Sequence, residues 1–218
     1  MKQLSVNNQK FSSNNDIALI ESKFSSIVDD QHYSFYALPQ FHEFLFQGAH
    51  HYRTKQMPKL SFTNTDSNEL SILALTDSHT LNTTPVPTSG LQPATIIDWV
   101  RQFRSQQILY KQTGATYSAG VLLNSGKLLV IECSSFETSC LKLLGALIRK
   151  DHCYQPIFFF SHAISMQHLD LIMHLCPSII LGQSAITSPV ITALTEHRVT
   201  TFGYCRKSKY NRFSNFHM

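Results

Sequence analysis

The chain has 218 residues, a formal net charge of +4, and 43% hydrophobic against 15% charged residues. That composition supports a buried core and excludes a disordered chain, and no uninterrupted apolar run approaches the roughly 20 residues of a membrane span. The basic excess is too small to indicate a nucleic-acid partner, and the aromatic and basic interleaving of an RNA-binding strand is missing.

The first residues, "MKQLSVNNQKFSSNN", are polar and lack the apolar centre of a secretory signal, so a cytoplasmic protein with a loose leader is expected. "DIALIES" and "HYSFYAL" have strand character, Pro39 is suited to open a helix through "QFHEFLFQGA", and "ELSILALT" alternates like another strand. Residues 1–92 therefore form a smaller, strand-rich N-terminal part. It ends in the polar run "DSHTLNTTPVPTSGLQP", residues 77–93, whose three prolines no regular element crosses.

Residues 93–218 read differently. Ile96, Ile97, Val100 and Phe103 recur at helical spacing and predict an amphipathic helix over 94–106. "AGVLLNSGKLLVIEC" gives two apolar runs joined by a hairpin turn at Asn124-Ser125-Gly126. Then strand and helix alternate: a strand to Ile131, a helix over 137–150, "PIFFFS", a helix over 166–175, "SIILG", a helix over 189–198 and "TTFGY". The pattern predicts an α/β domain with a largely parallel sheet and helices on both faces, α+β for the chain as a whole. Ser165, and Thr187 with Ser188 and Pro189, are suited to start two of the helices.

Open α/β sheets bind ligands beyond the carboxyl ends of their strands. Here those ends carry Glu132-Cys133, Ser161-His162, Gly182-Gln183-Ser184 and Tyr204-Cys205-Arg206. The last opens "GYCRKSKYNRF", which gathers Arg206, Lys207, Lys209 and Arg212, and no acidic residue follows Glu196. Two readings stand, a solvated basic tail and an anion site, and the address at a strand end favours the second.

The five cysteines, Cys133, Cys140, Cys153, Cys176 and Cys205, contain no CxxC pair, which argues against a structural zinc or a disulfide framework. His162, His168 and His174 are six apart and turn to different faces of a helix, while His50-His51 is a lone pair. Surface and capping roles suit them better than a metal site.

Five runs in order, "QTGATYSAG", "IECSSFETSCLKLLGA", "FFFSHAISMQHLDLI", "LGQSAITSPVITALTEHRVT" and "TFGYCRKSKYN", resemble the formate dehydrogenase accessory sulfurtransferase (FdhD) family over about 100 residues. "LPQFHEFLFQGA" is similar to that family's N-terminal helix. The resemblance implies a cytidine-deaminase-like α/β domain that takes sulfur from a cysteine desulfurase. It passes that sulfur to the molybdenum bis-guanine-dinucleotide cofactor before insertion into formate dehydrogenase. It also implies that Tyr204, Cys205, Arg206, Lys207, Ser208 and Lys209 hold the cofactor, with Thr113, Gly114, Ser161 and Ser184 alongside. The anion would then be the cofactor's phosphates, which suit a guanidinium fork. A twofold homodimer is the default oligomer.

The departures are chemical. Ala115 and Tyr117 replace a glycine and a histidine; Cys133, Phe136, Glu137 and Leu141 replace an aspartate, an arginine, a histidine and a second aspartate; His162 and Ala163 replace a glycine and an arginine; and Ile186 replaces a proline. Glu132, Lys142 and Gly145 stand. The family's Cys-Gly-x-Cys persulfide loop would fall in 77–93, yet the chain has no cysteine before Cys133. Cys133 or Cys205 are the substitutes this reading offers, with Arg206 and Lys207 expected to lower the pKa of Cys205. Zinc deaminase chemistry needs His-x-Glu and Pro-Cys-x-x-Cys, both absent from the sequence. Two functions follow: a sulfur-transferring maturation factor, or a non-catalytic relative that binds the cofactor, a guanine nucleotide or a partner protein. An unrelated nucleotide-binding domain would need a glycine-rich loop, for which Gly114 alone is a poor substitute.

Overall fold

The structure is a computed structural model, and it describes residues 4–7, 18–28, 31–38, 42–54, 56–57, 77–78, 81, 83–84, 91–149, 153–197, 199–206 and 209–213. Strands β1 (Leu4–Asn7), β2 (Ala18–Val28) and β3 (Gln31–Ala37) pair as an antiparallel meander. Helix α1 (His42–Thr54) follows, longer at its C-terminus than the apolar pattern indicates. Two-residue strands β4 (Gln56–Met57) and β5 (Asp77–Ser78) pair with each other. The strand expected in "ELSILALT" and the start of α1 at Pro39 lie outside the described residues.

The remaining elements are α2 (Pro93–Ser105), α3 (Ile108–Thr113), β6 (Tyr117–Leu123), β7 (Leu128–Cys133), α4 (Phe136–Arg149), β8 (Tyr154–Phe160), α5 (Met166–His174), β9 (Ile179–Gly182), α6 (Ser188–Glu196), β10 (Thr201–Arg206) and β11 (Lys209–Phe213). Six strands join in one sheet in the order β11-β10-β9-β8-β6-β7. The fold is mixed α/β, with six helices among the described residues, none long and apolar enough to cross a membrane.

The sheet corrects the largely parallel expectation. Only β8, β9 and β10 pair in parallel; β7 points the same way but is separated from them by β6, which pairs antiparallel with both β7 and β8, and β11 pairs antiparallel with β10. The alternation of strand and helix is read correctly. However, the β6–β7 hairpin is inserted with β6 against β8, so the crossover through α4 skips a strand. β11 also corrects the tail reading: half of the basic stretch is an edge strand, where charged side chains discourage further pairing.

Period-two alternation explains the layers. Phe158 and Phe160 of β8 face one side with Ala119, Val121, Ile131, Ile180 and Phe202, under α4, α5 and α6. Ile157 and Phe159 face the other with Leu122, Leu128, Ile179 and Leu181, under α2. The predicted stripe of α2 is the buried one, Ile96, Val100 and Phe103, and Phe103 stacks on Phe159 at 5.6 Å between ring centroids.

Helix α1 belongs to this core, because Leu45, Phe46 and Ala49 join the α4 cluster. Two glycines bring the backbones together: a Cβ on Gly48 would lie 1.8 Å from the Leu141 carbonyl oxygen, and one on Gly145 would lie 1.9 Å from that of Phe44. Lys142 is wholly buried beside this seam, its Nζ donating to the Leu38 carbonyl at 2.7 Å. Gly145 and Lys142, two matches to the family pattern, thus hold α4 against the N-terminal part of the chain.

Candidate functional site at the carboxyl edge of the sheet

Strands β7, β8, β9 and β10 all end, and β6 begins, at one edge of the sheet. The register runs Cys133↔Tyr117, then Ala119↔Phe160, Phe160↔Gly182 and Gly182↔Tyr204. Ser161 ties the centre of this edge together. Its Oγ accepts the Ser118 N–H at 2.8 Å and meets His162 Nδ1 at 2.8 Å, while Ser184 Oγ donates to the Ser161 carbonyl at 3.1 Å.

Beside it lies helix α3, absent from the sequence reading because six residues give too short a periodic signal. Glu132, at the end of β7, substitutes for an N-cap: its carboxylate accepts from the Leu109 and Tyr110 N–H groups at 2.8 Å each and from Thr116 Oγ1 at 3.0 Å. The helix ends at Thr113, whose Oγ1 donates to the Leu109 carbonyl, and at Gly114, which takes the left-handed φ of 68° that a side chain disfavours. Thr113 and Gly114 therefore shape the loop leading into β6 on the candidate edge.

Above the edge is a cleft of about 560 Å³ between the first turns of α4 and α5. Tyr52, Tyr117, Phe136 and Leu171 form its apolar walls. Ser134, Ser135, Glu137, Gln167 and His168 supply polar groups. The Ser135 Oγ is engaged as the cap of α4, accepting the Thr138 N–H at 3.1 Å. By contrast, the Ser134 hydroxyl is buried with no partner among the described residues. His168 Nδ1 accepts the Ser165 N–H at 3.4 Å, so this histidine is the capping one that the sequence reading anticipates. Burial holds both His168 and His162 below the usual imidazole pKa, and both are therefore neutral at pH 7. The His162 ring lies 4.2 Å from that of Tyr117 and edge-on to Tyr110.

His51 and His174 correct the surface reading of the histidines. His51 is buried and its Nδ1 meets His174 Nε2 at 3.1 Å, joining α1 to α5. Next to them, Tyr52 donates a hydrogen bond to the Asp170 carboxylate, and this bond above all pushes the phenol up to about 12.

The structure brings Thr113, Gly114, Ser161, Ser184 and Tyr204 to one edge but spreads them along it. Tyr117 and Tyr204 are three strand positions apart, roughly 14 Å at the usual strand spacing. Cys205 is buried and Lys209 exposed; Lys207 and Ser208 lie outside the described residues, and Arg206 is described only as part of β10. The expected lowering of the Cys205 pKa is corrected: burial against the α2 layer raises it. Cys133 is wholly buried in the opposite layer, and Cys140 is buried in the same cluster with its pKa raised by burial. The two exposed cysteines, Cys153 and Cys176, flank Tyr154 at the opposite, amino edge of the sheet. There Thr84 of the 77–93 segment donates its N–H to the Tyr154 carbonyl at 3.0 Å. Among the described residues no three His, Cys, Asp or Glu side chains are grouped to hold a metal ion.

Tyr117, Phe136 and Glu137 count in the sequence only as departures from the family pattern. Together they line the cleft. The signal that finds them is positional, since Tyr117 begins β6 and Phe136 and Glu137 open α4 at the carboxyl edge.

A mixed six-stranded sheet with helices on both faces and a cleft over its carboxyl edge defines a protein of the mixed α/β class. The FdhD/NarQ family model matches residues 47–218, and the chain belongs to that family. Its fold is shared by a crystal structure from Desulfotalea psychrophila, provisionally described as a formate dehydrogenase accessory protein. The TM-score is 0.69 at 14% identity, covering 99% of this chain and 97% of the other. No protein of curated function matches the chain.

Proposed function

We propose that the protein is an accessory factor for formate dehydrogenase that binds the molybdenum bis-guanine-dinucleotide cofactor, its cargo, along the carboxyl edge of the sheet. Family membership and the description of the Desulfotalea relative support the accessory role. The observation that carries the binding reading is the meeting of Thr113, Gly114, Ser161, Ser184 and Tyr204 on one edge, with β10 leading into Arg206-Lys207-Ser208-Lys209. The basic segment takes phosphates, and the cleft, whose Tyr117 stands three strand positions from Tyr204, takes another part of an extended ligand. Formate dehydrogenase and a cysteine desulfurase are the protein partners of this role, exercised in the cytoplasm, and a homodimer suits two guanine nucleotides.

Persulfide transfer at this edge requires an accessible thiolate. Cys133, Cys140 and Cys205 are buried, so the chain acts there as a binder rather than a sulfurtransferase. Cys153 and Cys176 favour a second reading, a sulfur relay at the amino edge beside Thr84, where the cysteine-free 77–93 segment passes.

Guanosine diphosphate tests the binding reading. At 100 times its dissociation constant it should stabilise the fold by about 2.7 kcal/mol, and this shift should shrink in an Arg206→Ala, Lys209→Ala double variant. No thermal shift at millimolar nucleotide, or an equal shift in the double variant, refutes the phosphate site. For the second reading, incubation with a desulfurase and cysteine followed by mass spectrometry decides, since a persulfide on Cys153 or Cys176 establishes the relay.

A further inference from the structure

Helix α3 breaks the rule that buries apolar side chains and exposes polar ones. Gln107, at its start, is wholly buried, and neither polar atom of its side-chain amide has a hydrogen-bond partner among the described residues. Its neighbour Ile108 is 61% exposed and Tyr110 36%, two of the three large apolar side chains that stand exposed among the described residues. Both placements cost stability, and turning the helix about its axis would relieve them. Glu132 prevents that turn, because its carboxylate accepts the Leu109 and Tyr110 N–H groups. A fold that holds an apolar side chain outward against its own stability does so where that side chain meets something else.

What surrounds Ile108 is basic. Lys111 lies one turn further along the same face of α3, and its Nζ donates to the Ser105 carbonyl at 2.6 Å, so this face continues onto the last turns of α2 with Arg104 and Arg101. Between Pro93 and Thr116 the only acidic residue is Asp98, which Arg101 engages at 3.4 Å; Arg104 and Lys111 meet no carboxylate among the described residues. The exposed acids Glu137, Asp170 and Glu196 stand on α4, α5 and α6 instead. From this we infer that the corner of α2 and α3 is a docking surface for a partner protein, and that the segment it receives is acidic and amphipathic. The partner's carboxylates pair with Arg104 and Lys111 while its apolar side chains cover Ile108, so that a central apolar anchor is ringed by complementary charge. Three cations spread over two helices are too few to follow a phosphate backbone, and two apolar side chains are too few to enter a bilayer. Tyr110, edge-on to His162 at 5.8 Å, carries the surface to the carboxyl edge, so a docked partner stands beside the edge proposed for the cofactor. The surface itself does not depend on that reading.

Fluorescence anisotropy of a labelled amphipathic helical peptide of glutamate and leucine, titrated with the full chain, tests the surface. The comparison probes are the same peptide with lysine for glutamate, a single-stranded oligonucleotide and phosphatidylglycerol vesicles. The glutamate peptide should bind, more weakly as salt rises, and the lysine peptide should not. Ile108→Gln and Arg104→Glu should each weaken the glutamate peptide by about tenfold or more while leaving the melting temperature near wild type, because both side chains are exposed. No binding of the glutamate peptide, equal binding of the lysine peptide, or binding indifferent to both substitutions overturns the docking surface. Binding of the oligonucleotide or the vesicles in place of the peptide overturns a protein occupant. The outcome is separable from the cofactor reading: if the peptide fails while guanosine diphosphate still stabilises the fold, the docking surface falls and the phosphate site stands.

Discussion

Substituting Gly145 by alanine tests how α1 is held on α4, and through that contact how the N-terminal part joins the core. The added Cβ would sit 1.9 Å from the Phe44 carbonyl oxygen, 2.7 Å from its carbon and 2.9 Å from its Cα, when such contacts essentially never fall below 3.0 Å. The obstacle is helix backbone, which cannot rotate aside, so the helices must part by about 1.1 Å. A gap of that size forfeits a quarter to a half of the dispersion attraction at each affected contact. Phe44, Leu45, Phe46 and Ala49 are all buried in α1, so the loss is shared by a tightly packed seam. Overpacking by one methyl costs about 1–3 kcal/mol, and this site belongs at the upper end. Alanine returns about 1 kcal/mol in helix propensity, leaving a net loss of about 2 kcal/mol. At about 2–4 °C per kcal/mol for a chain of this size, the melting temperature should fall by about 4–8 °C in circular dichroism. Gly48→Ala should behave alike, and the pair should cost less than the sum because each already parts the same helices. A Gly145→Ala protein that melts at or above the wild-type temperature would refute the reasoning, since propensity alone would then have decided the outcome.

Other outcomes follow from single features of the site. Thiol labelling under native conditions should modify Cys153 and Cys176 quickly and Cys133, Cys140 and Cys205 only on unfolding; fast labelling of Cys205 contradicts its burial. Replacing Glu132 by alanine removes three hydrogen bonds from α3 and Thr116, and should lower stability in urea by about 1–3 kcal/mol. His162 and His168 are held neutral by burial, so below pH 6.5 the unfolded chain binds protons that the folded chain resists, and stability falls as pH drops. His162→Phe, which keeps the stacking on Tyr117, should lose less stability than wild type between pH 7.5 and 5; an equal loss assigns the acid sensitivity elsewhere.

Much of the fold is legible in the sequence because it rests on local patterns. The stripe of α2, the turn at Asn124-Ser125-Gly126 and the alternating Ile157–Phe160 run each announce their element and its buried face. The order of the strands does not. The placing of β6 against β8 depends on pairings distant in the chain, and no spacing records it. The edge strand β11 is hidden by its basic side chains, which suit an edge as well as they suit a solvated tail. The carboxyl-edge rule finds that Ser161, Ser184 and Tyr204 share one edge of the sheet, because it needs only the ends of parallel strands. The cleft stays hidden for a different reason. It brings Tyr52 of α1 to the first turns of α4 and α5, a meeting that depends on the glycine seam. Cys205 shows the same limit for electrostatics: neighbouring basic residues in sequence suggest a lowered pKa, whereas packing under α2 raises it.

If this chain carries the guanine-dinucleotide form of the molybdenum cofactor for formate dehydrogenase, as proposed, the cofactor should accompany it through purification. The protein should be isolated after co-expression with a formate dehydrogenase, its molybdenum measured by mass spectrometry and its guanosine monophosphate measured after acid hydrolysis. Two guanosine monophosphates are expected for each molybdenum, both lost together in the Arg206→Ala, Lys209→Ala variant. A wild-type protein that carries neither molybdenum nor guanine nucleotide contradicts the proposal.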